Sequence, residues 1–265
     1  MSPPVVLTIA GSDSGAGAGI QADLKTFAAL RVFGTCAITA VTAQNTAEVR
    51  AVHPLPASLV RDQVEAVLDD FTVAAVKTGM LATPEIVELV ADLADAGRLP
   101  RLVVDPVMVS STGTRLLDEE AERLYLKRLL PVATVFTPNL LEAGVLLGRE
   151  VRSEADQQDA ARDLAAQTSG AVVVKGGHAV GDAVDVVCTA GSLVSLRARR
   201  VDTANNHGSG CSFASATAAG LARGLSSADA LQHAKDFVYR AIEGAAHWNL
   251  GSGHGPLDHF HWEEQ

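Results

Sequence analysis

Residues 5–20 read Val5-Val6-Leu7-Thr8-Ile9-Ala10-Gly11-Ser12-Asp13-Ser14-Gly15-Ala16-Gly17-Ala18-Gly19-Ile20. Val5 to Ala10 is an apolar run of strand length, Gly11 to Gly19 is a loop, and Ile20 to Leu30 spaces its apolar residues as a helix does. A continuous apolar strand belongs inside a sheet covered on both faces, and strand, loop and helix together form the opening of a parallel βαβ unit.

The same alternation continues down the chain. Strands are predicted at Thr35 to Thr42, Val49 to His53, Val73 to Lys77, Leu102 to Val104, Thr134 to Phe136 and Ala171 to Val174. Between them, helices are predicted at Pro56 to Phe71, Pro84 to Ala96, Glu119 to Leu129, Leu140 to Leu147 and Ala155 to Gln167. Val184 to Cys188 and Leu193 to Leu196 then read as a hairpin, which adds antiparallel edge strands, before two helices starting near Cys211 and Ala228. The expected fold is α/β, with a central, mostly parallel sheet and helices on both faces. No linker divides the 265 residues, so one domain over 1–265 is expected.

Composition narrows the class. A net charge of −10 argues against a nucleic-acid surface but leaves room for a small phosphate pocket. No apolar run is long enough to span a bilayer, and the N-terminus lacks the positive start of a secretory signal. Cys36, Cys188 and Cys211 are too scattered for a disulfide framework or a C-x-x-C metal site, which suits a reducing compartment. The expected location is the cytoplasm. His247, His254, His259 and His261 match no zinc spacing and read as a polar, partly exposed tail.

In open α/β sheets ligands bind beyond the carboxyl ends of the strands. There the chain carries Gly11 to Gly19, Gln44-Asn45-Thr46, Lys77-Thr78-Gly79-Met80, Asp105-Pro106, Thr137-Pro138-Asn139 and Lys175-Gly176-Gly177-His178. The first of these is neither a dinucleotide fingerprint nor a P-loop, since Ile follows Gly19 and no acidic residue ends the second strand. Asp105 is placed to hold magnesium or to be a turn aspartate. Asn139-Leu140-Leu141-Glu142 also spells a helix capping box.

Asn205-Asn206-His207-Gly208-Ser209-Gly210-Cys211-Ser212 runs into a helix. Unpaired N–H groups and the macrodipole there make an anion site, and the same field favours a thiolate at Cys211. The alternative is a small-residue turn with an inert buried cysteine.

Taken in order, these segments resemble the hydroxymethylpyrimidine/phosphomethylpyrimidine kinases of thiamine biosynthesis, in the ribokinase-like superfamily, over nearly the whole chain. The carriers are Ala10 to Asp23, Thr42 to Thr46, Val76 to Leu81, Asp105 to Met108, Thr137 to Glu142, Val174 to His178 and Asn206 to Cys211. The resemblance implies a three-layer sandwich without a separate lid domain and a homodimer. It also implies ATP-dependent phosphorylation, with Mg2+, of 4-amino-5-hydroxymethyl-2-methylpyrimidine and then of its monophosphate.

By the same resemblance, Gly11, Asp23, Gln44, Met80 and Val107 border the pyrimidine. Asn139, Lys175 and His178 meet the nucleotide, Asp105 and Glu142 place the metal, and Gly208, Ser209, Gly210 and Cys211 form an anion hole. Cys211 stands where ribokinase relatives usually have an aspartate base, so it is expected to accept the substrate's proton, with Lys175 beside it in catalysis. Ser209 replaces a frequent threonine, and Ser110-Ser111-Thr112-Gly113 stands where a lysine is frequent. The rival readings are a pyridoxal or pyridoxine kinase, a hydrolase or acyltransferase using Cys211 as nucleophile, and a non-catalytic pyrimidine sensor on the same fold.

Overall fold

The computed structural model describes residues 2–108, 119–177 and 181–260. A nine-stranded sheet runs through them: β1 (Val5–Asp13), β2 (Phe33–Gln44), β3 (Val49–Pro54), β4 (Val73–Thr78), β5 (Leu102–Val104), β6 (Val135–Phe136), β7 (Ala171–Lys175), β8 (Ala183–Thr189) and β9 (Ser192–Ala198). Its order is β3-β2-β1-β4-β5-β6-β7-β8-β9. Pairings from β2 through β7 are parallel, whereas β3 on one edge and β8 and β9 on the other are antiparallel.

Consecutive strand residues serve opposite faces, as the period of two requires. Val6, Ala75, Val103, Val135 and Val173 pack against α1 (Gly19–Ala29), α7 (Ser209–Ala222) and α8 (Ser227–Gly244). Their neighbours Leu7, Val76, Val104, Phe136 and Val174 pack beneath α2 (Ala57–Asp70), α3 (Pro84–Asp95), α4 (Glu119–Leu124), α5 (Leu140–Leu147) and α6 (Glu154–Ala165). Each fully buried aliphatic side chain contributes roughly 1.5–3 kcal/mol, so the two cores make the sheet the rigid base on which the loops are mounted. Three layers and a ribokinase-like sheet therefore match expectation, and the described residues hold no separate lid.

Two elements depart from the sequence reading, and the expected short third strand takes an orientation that the sequence left open. Gly11 to Asp13, expected as loop, extends β1 past a register shift between Ala10 and Ser12, because the long β2 offers Val41 and Thr42 as partners. That leaves 14–18 as the connection to α1. The short third strand folds back antiparallel on β2. The helix expected to run to Leu129 changes to a π-helical turn over Tyr125–Leu129. The buried Tyr125 donates its hydroxyl to Gly79 O at 3.2 Å, steadying the turn after β4.

α7 passes close to the sheet because it is built from small residues. From Ser212 to Leu221 every residue is buried, and a Cβ added at Gly220 would lie 3.0 Å from Ala230 Cβ on α8. The close approach brings the N-terminus of α7 to the carboxyl ends of β1, β4 and β5.

The C-terminal segment straps this assembly. His254 N donates to Thr46 O (3.0 Å), His207 N to Gly255 O (3.0 Å) and Asp258 N to Ala241 O (2.9 Å). His259, expected in a polar tail, is buried instead, with Nε2 3.0 Å from Ser212 Oγ. The Phe237 ring of α8 packs against it, which the histidine spacing alone did not reveal. His261 lies outside the described residues.

Burial, with Lys25 adding repulsion, holds the His259 imidazolium down at about 4, from an ordinary 6.5. Between those values the unfolded chain takes up a proton that the folded chain refuses. Stability is thus full above pH 6.5 and falls as the pH drops toward 4, by up to about 3 kcal/mol. Urea unfolding of the native chain and of His259→Gln across that window checks this: the variant is expected to lose the steeper acid slope, and parallel slopes would refute it.

Candidate active site

The carboxyl ends of the strands surround a cavity of about 600 Å³. β1 brings Gly11 and Asp13, β2 brings Gln44, β4 and its turn bring Lys77 and Met80, and β5 leads to Asp105 and Val107. Asn139 and Glu142 enter from the start of α5, Lys175 from the end of β7, and 207–211 from the start of α7. Thus nearly every residue singled out from the sequence meets in one place. His178 and residues 110–113 lie outside the described residues.

At the start of α7, Gly208 has φ +85°, a left-handed conformation that strains any other residue, and an added Cβ there would overlap Gly17 O. The two glycine-bearing turns are therefore in backbone contact. Ser209 N is used by Asn206 O at 3.2 Å, and the next two positions, Gly210 and Cys211, have no intrahelical acceptor by helix geometry. Both line the cavity, which gives it a pair of N–H donors and the positive end of the helix.

Asp13, to which the sequence reading gave no role, organises this contact. Its Oδ1 accepts from Gly15 N (2.8 Å), and its Oδ2 from Gly17 N (3.1 Å) and Ala18 N (2.9 Å). His207 Nε2 lies 3.0 Å from the same Oδ2 and 3.4 Å from Gln44 Nε2. Burial works against the Asp13 charge, but His207 and the Ala18 and Gly15 N–H groups outweigh it and hold the carboxyl below the usual range. An aspartate two residues before a glycine is a familiar turn signal, and it was the available clue.

Three lysines, Lys77, Lys175 and Lys235, line the cavity, each with its own carboxylate. Lys175 Nζ lies 2.7 Å from Asp105 Oδ1, which also accepts from Thr137 Oγ1 at 3.1 Å. Burial opposes the Lys175 charge, and Asp105 and Glu142 override it, raising its pKa. Lys77, flagged in its loop but given no role from sequence, lies fully buried against Asp23 at 2.9 and 3.0 Å. Asp23 also accepts from Thr8 Oγ1 (2.6 Å) and Ser215 Oγ (2.7 Å).

Asp23 was expected to face the pyrimidine, and this geometry corrects that. It is fully buried, engaged by three side chains, and lies behind the cavity rather than in its wall. Its task is to neutralise Lys77 and to tie α1, β1, β4 and α7 together.

Glu142 and Asn139 form the capping box that their spacing allowed. Asn139 N donates to Glu142 Oε2 (2.7 Å) and Glu142 N to Asn139 Oδ1 (2.9 Å). Burial pushes the Glu142 carboxyl up to about 7, with Lys175 pulling it down and Asp105 pushing it up. Both side chains still line the cavity, so the cap doubles as part of its wall.

The residues from 13 to 258 match the family described as phosphomethylpyrimidine kinase. The chain belongs to that family. It is 50% identical over 259 residues to the hydroxymethylpyrimidine/phosphomethylpyrimidine kinase of Streptomyces coelicolor, covering 98% of this chain and 95% of that one. Among solved structures, the ADP complex of Bacillus subtilis pyridoxal kinase superposes with a TM-score of 0.89 at 37% identity, over 97% of this chain and 98% of that one. The phosphomethylpyrimidine kinase of Clostridium difficile 630 gives 0.78 at 38% identity, over 90% of this chain and 99% of that one.

One expectation for this family member is reversed by its surroundings. The helix start was to lower the Cys211 thiol; instead burial pushes it up to about 11, with Lys77 pulling down and Asp23 and Asp105 pushing up. Desolvation outweighs the helix field even though Cys211 is only half-buried in the cavity wall. With Cys36 and Cys188 replaced by alanine, titration of thiolate absorbance is expected to show Cys211 ionising far above the ordinary 8.5 or so. A midpoint below that value would contradict the desolvation argument.

Proposed function

We propose that the protein transfers the γ-phosphoryl group of ATP to the hydroxymethyl oxygen of 4-amino-5-hydroxymethyl-2-methylpyrimidine, and then phosphorylates the monophosphate to the diphosphate, for thiamine biosynthesis. The observation that carries this reading is the convergence of the α7 N-terminus, the ion-paired Lys175 and the directional side chain of Gln44 in one cavity. Membership of the family supports the substrate. The protein acts in the cytoplasm as a homodimer in this reading, which the scattered, unpaired cysteines and the family resemblance support.

Gln44 is the pyrimidine's polar partner, and Gly11, Met80 and Val107 bound its ring. A neutral heterocycle has no charge to hold it, so an amide with both a donor and an acceptor supplies the direction. Lys175, Asn139 and His178 meet the nucleotide. Of the expected Gly208–Cys211 anion hole, the N–H groups of Gly210 and Cys211 receive the phosphoryl group in transit, since Ser209 N is already held by Asn206 O.

Asp105 and Glu142 suit a magnesium ion. Both are hard carboxylate donors on the same wall, Asp105 Oδ2 faces Gly210 at the anion hole, and the raised Glu142 carboxyl marks a site where a cation relieves repulsion. Among the described residues no third carboxylate, histidine or cysteine completes a metal cluster, so the remaining donors would have to come from outside the protein. An ion held by Asp105 and Glu142 would offset the charge of the nucleotide's phosphates.

In the transfer, the hydroxymethyl oxygen forms a bond to Pγ, the bond from Pγ to the β-bridging oxygen breaks, and its electron pair leaves with ADP. With its thiol raised by its surroundings, Cys211 in this reading orients the hydroxyl rather than removing its proton in advance. The proton departs late, onto an oxygen of the transferred group, which a loose transition state permits. The helix N-terminus and Lys175 provide the charge stabilisation.

A second reading, pyridoxal kinase, is favoured by the higher superposition on the Bacillus subtilis enzyme. Specificity constants for the hydroxymethylpyrimidine and for pyridoxal separate the two: a clear preference for the pyrimidine is expected, and an equal or reversed ratio would overturn the assignment. In the same assay Gln44→Ala is expected to raise the pyrimidine KM about tenfold. Cys211→Ala is expected to lower kcat about 10- to 100-fold with KM little changed, while Cys211→Ser stays close to the native rate. A serine variant as slow as the alanine one would restore the proton-acceptor role.

A further inference from the structure

Toward the opposite edge of the sheet from Gln44, Asp185 of β8 and Lys235 of α8 form an ion pair, with Nζ 2.8 Å from Oδ2 and each side chain 7% exposed. Both line the cavity. The second oxygen, Asp185 Oδ1, accepts from Gly176 N at 2.9 Å, and Asp185 pairs across the strands with Lys175. Just behind, Gln157 Nε2 donates to Val174 O and to Val184 O, each at 3.0 Å, and locks β7 to β8.

A buried ion pair is a poor source of stability, since apolar side chains of similar size often serve as well or better. This one is joined to the backbone immediately after Lys175, in a wall that has to face a polyanion. We propose that the Asp185–Lys235 pair is a positioning device for the nucleotide's polyphosphate. Asp185 fixes the Gly176 amide, and with it the departure of the chain from Lys175. Lys235 cancels the carboxylate that would otherwise repel the phosphates. The inference rests on the kinase reading above.

Charge balance makes the two halves act in opposite directions. Lys235→Met leaves an uncompensated carboxylate in the wall, and the KM for MgATP is expected to rise about tenfold. Asp185→Asn keeps an oxygen for Gly176 N and leaves an ammonium, so the KM for MgATP is expected to fall about threefold. The double variant is expected to return within about twofold of the native value, with the pyrimidine KM unmoved in all three. Changes of the same sign in both single variants, or a double variant worse than either, would mean that the pair only holds the fold and would overturn the proposal.

If Lys235→Met does not fold, Asp185→Asn and the double variant decide the sign by themselves. Calorimetric binding of MgADP keeps the two claims separable. Native protein that binds MgADP without turning over ATP would sink the kinase reading, and the signs of the affinity changes would still test the pair.

Discussion

The carboxylate of Asp13 is the interaction on which the site depends. It gathers the N–H groups of Gly15, Gly17 and Ala18 into one turn and holds His207 with Oδ2, the oxygen that also receives Gly17 and Ala18. Through His207 it sets the approach to Gly208, whose left-handed backbone begins α7 against Gly17 O. The first loop of the chain and the helix that follows more than 190 residues later thus share a single anchor. Without it neither turn has a reason to keep its shape, because glycines confer freedom and not structure. The strap from Gly253 to His259 reinforces this contact from outside, binding Thr46, His207 and Ser212.

The second theme is charge balance. Lys77 with Asp23, Lys175 with Asp105 and Lys235 with Asp185 are each buried or nearly so, and each pair joins separate elements. A cavity meant for several phosphates therefore has almost no net charge of its own in its walls. It offers N–H groups, a helix end and cations whose partners can be shared with an incoming metal ion. The same charges act on Cys211. Burial and the carboxylates of Asp23 and Asp105 raise its thiol against the pull of Lys77, which is the basis for proposing that it orients the substrate hydroxyl rather than taking its proton.

Much of the fold was legible because the parallel strands are continuous apolar runs and the helices carry their own caps, as at Asn139 and Ser153. The loops at the carboxyl ends of the strands located the site for the same reason. What escaped was set by distant contacts. The extension of β1 through Asp13 depends on the length of β2. The burial of Asp23 depends on Ser215, 192 positions away, and no local pattern tells a carboxylate that faces a ligand from one that neutralises a lysine behind it. His259 read as a polar tail because its cover comes from α8. Cys211 is a related case: position in the first turn is visible in sequence, and the desolvation of its thiol is not.

Two ligands of similar size, a pyrimidine and a pyridine each bearing a hydroxymethyl group, compete for the same explanation of the cavity. The account commits to the pyrimidine and to two successive transfers at one anion hole. Phosphorus-31 NMR of the purified protein with the hydroxymethylpyrimidine, ATP and magnesium tests this most directly. It predicts a monophosphate ester signal that grows first and is then replaced by the paired doublets of a diphosphate ester, alongside ADP. Appearance of inorganic phosphate and ADP alone, with no ester signal, would contradict it.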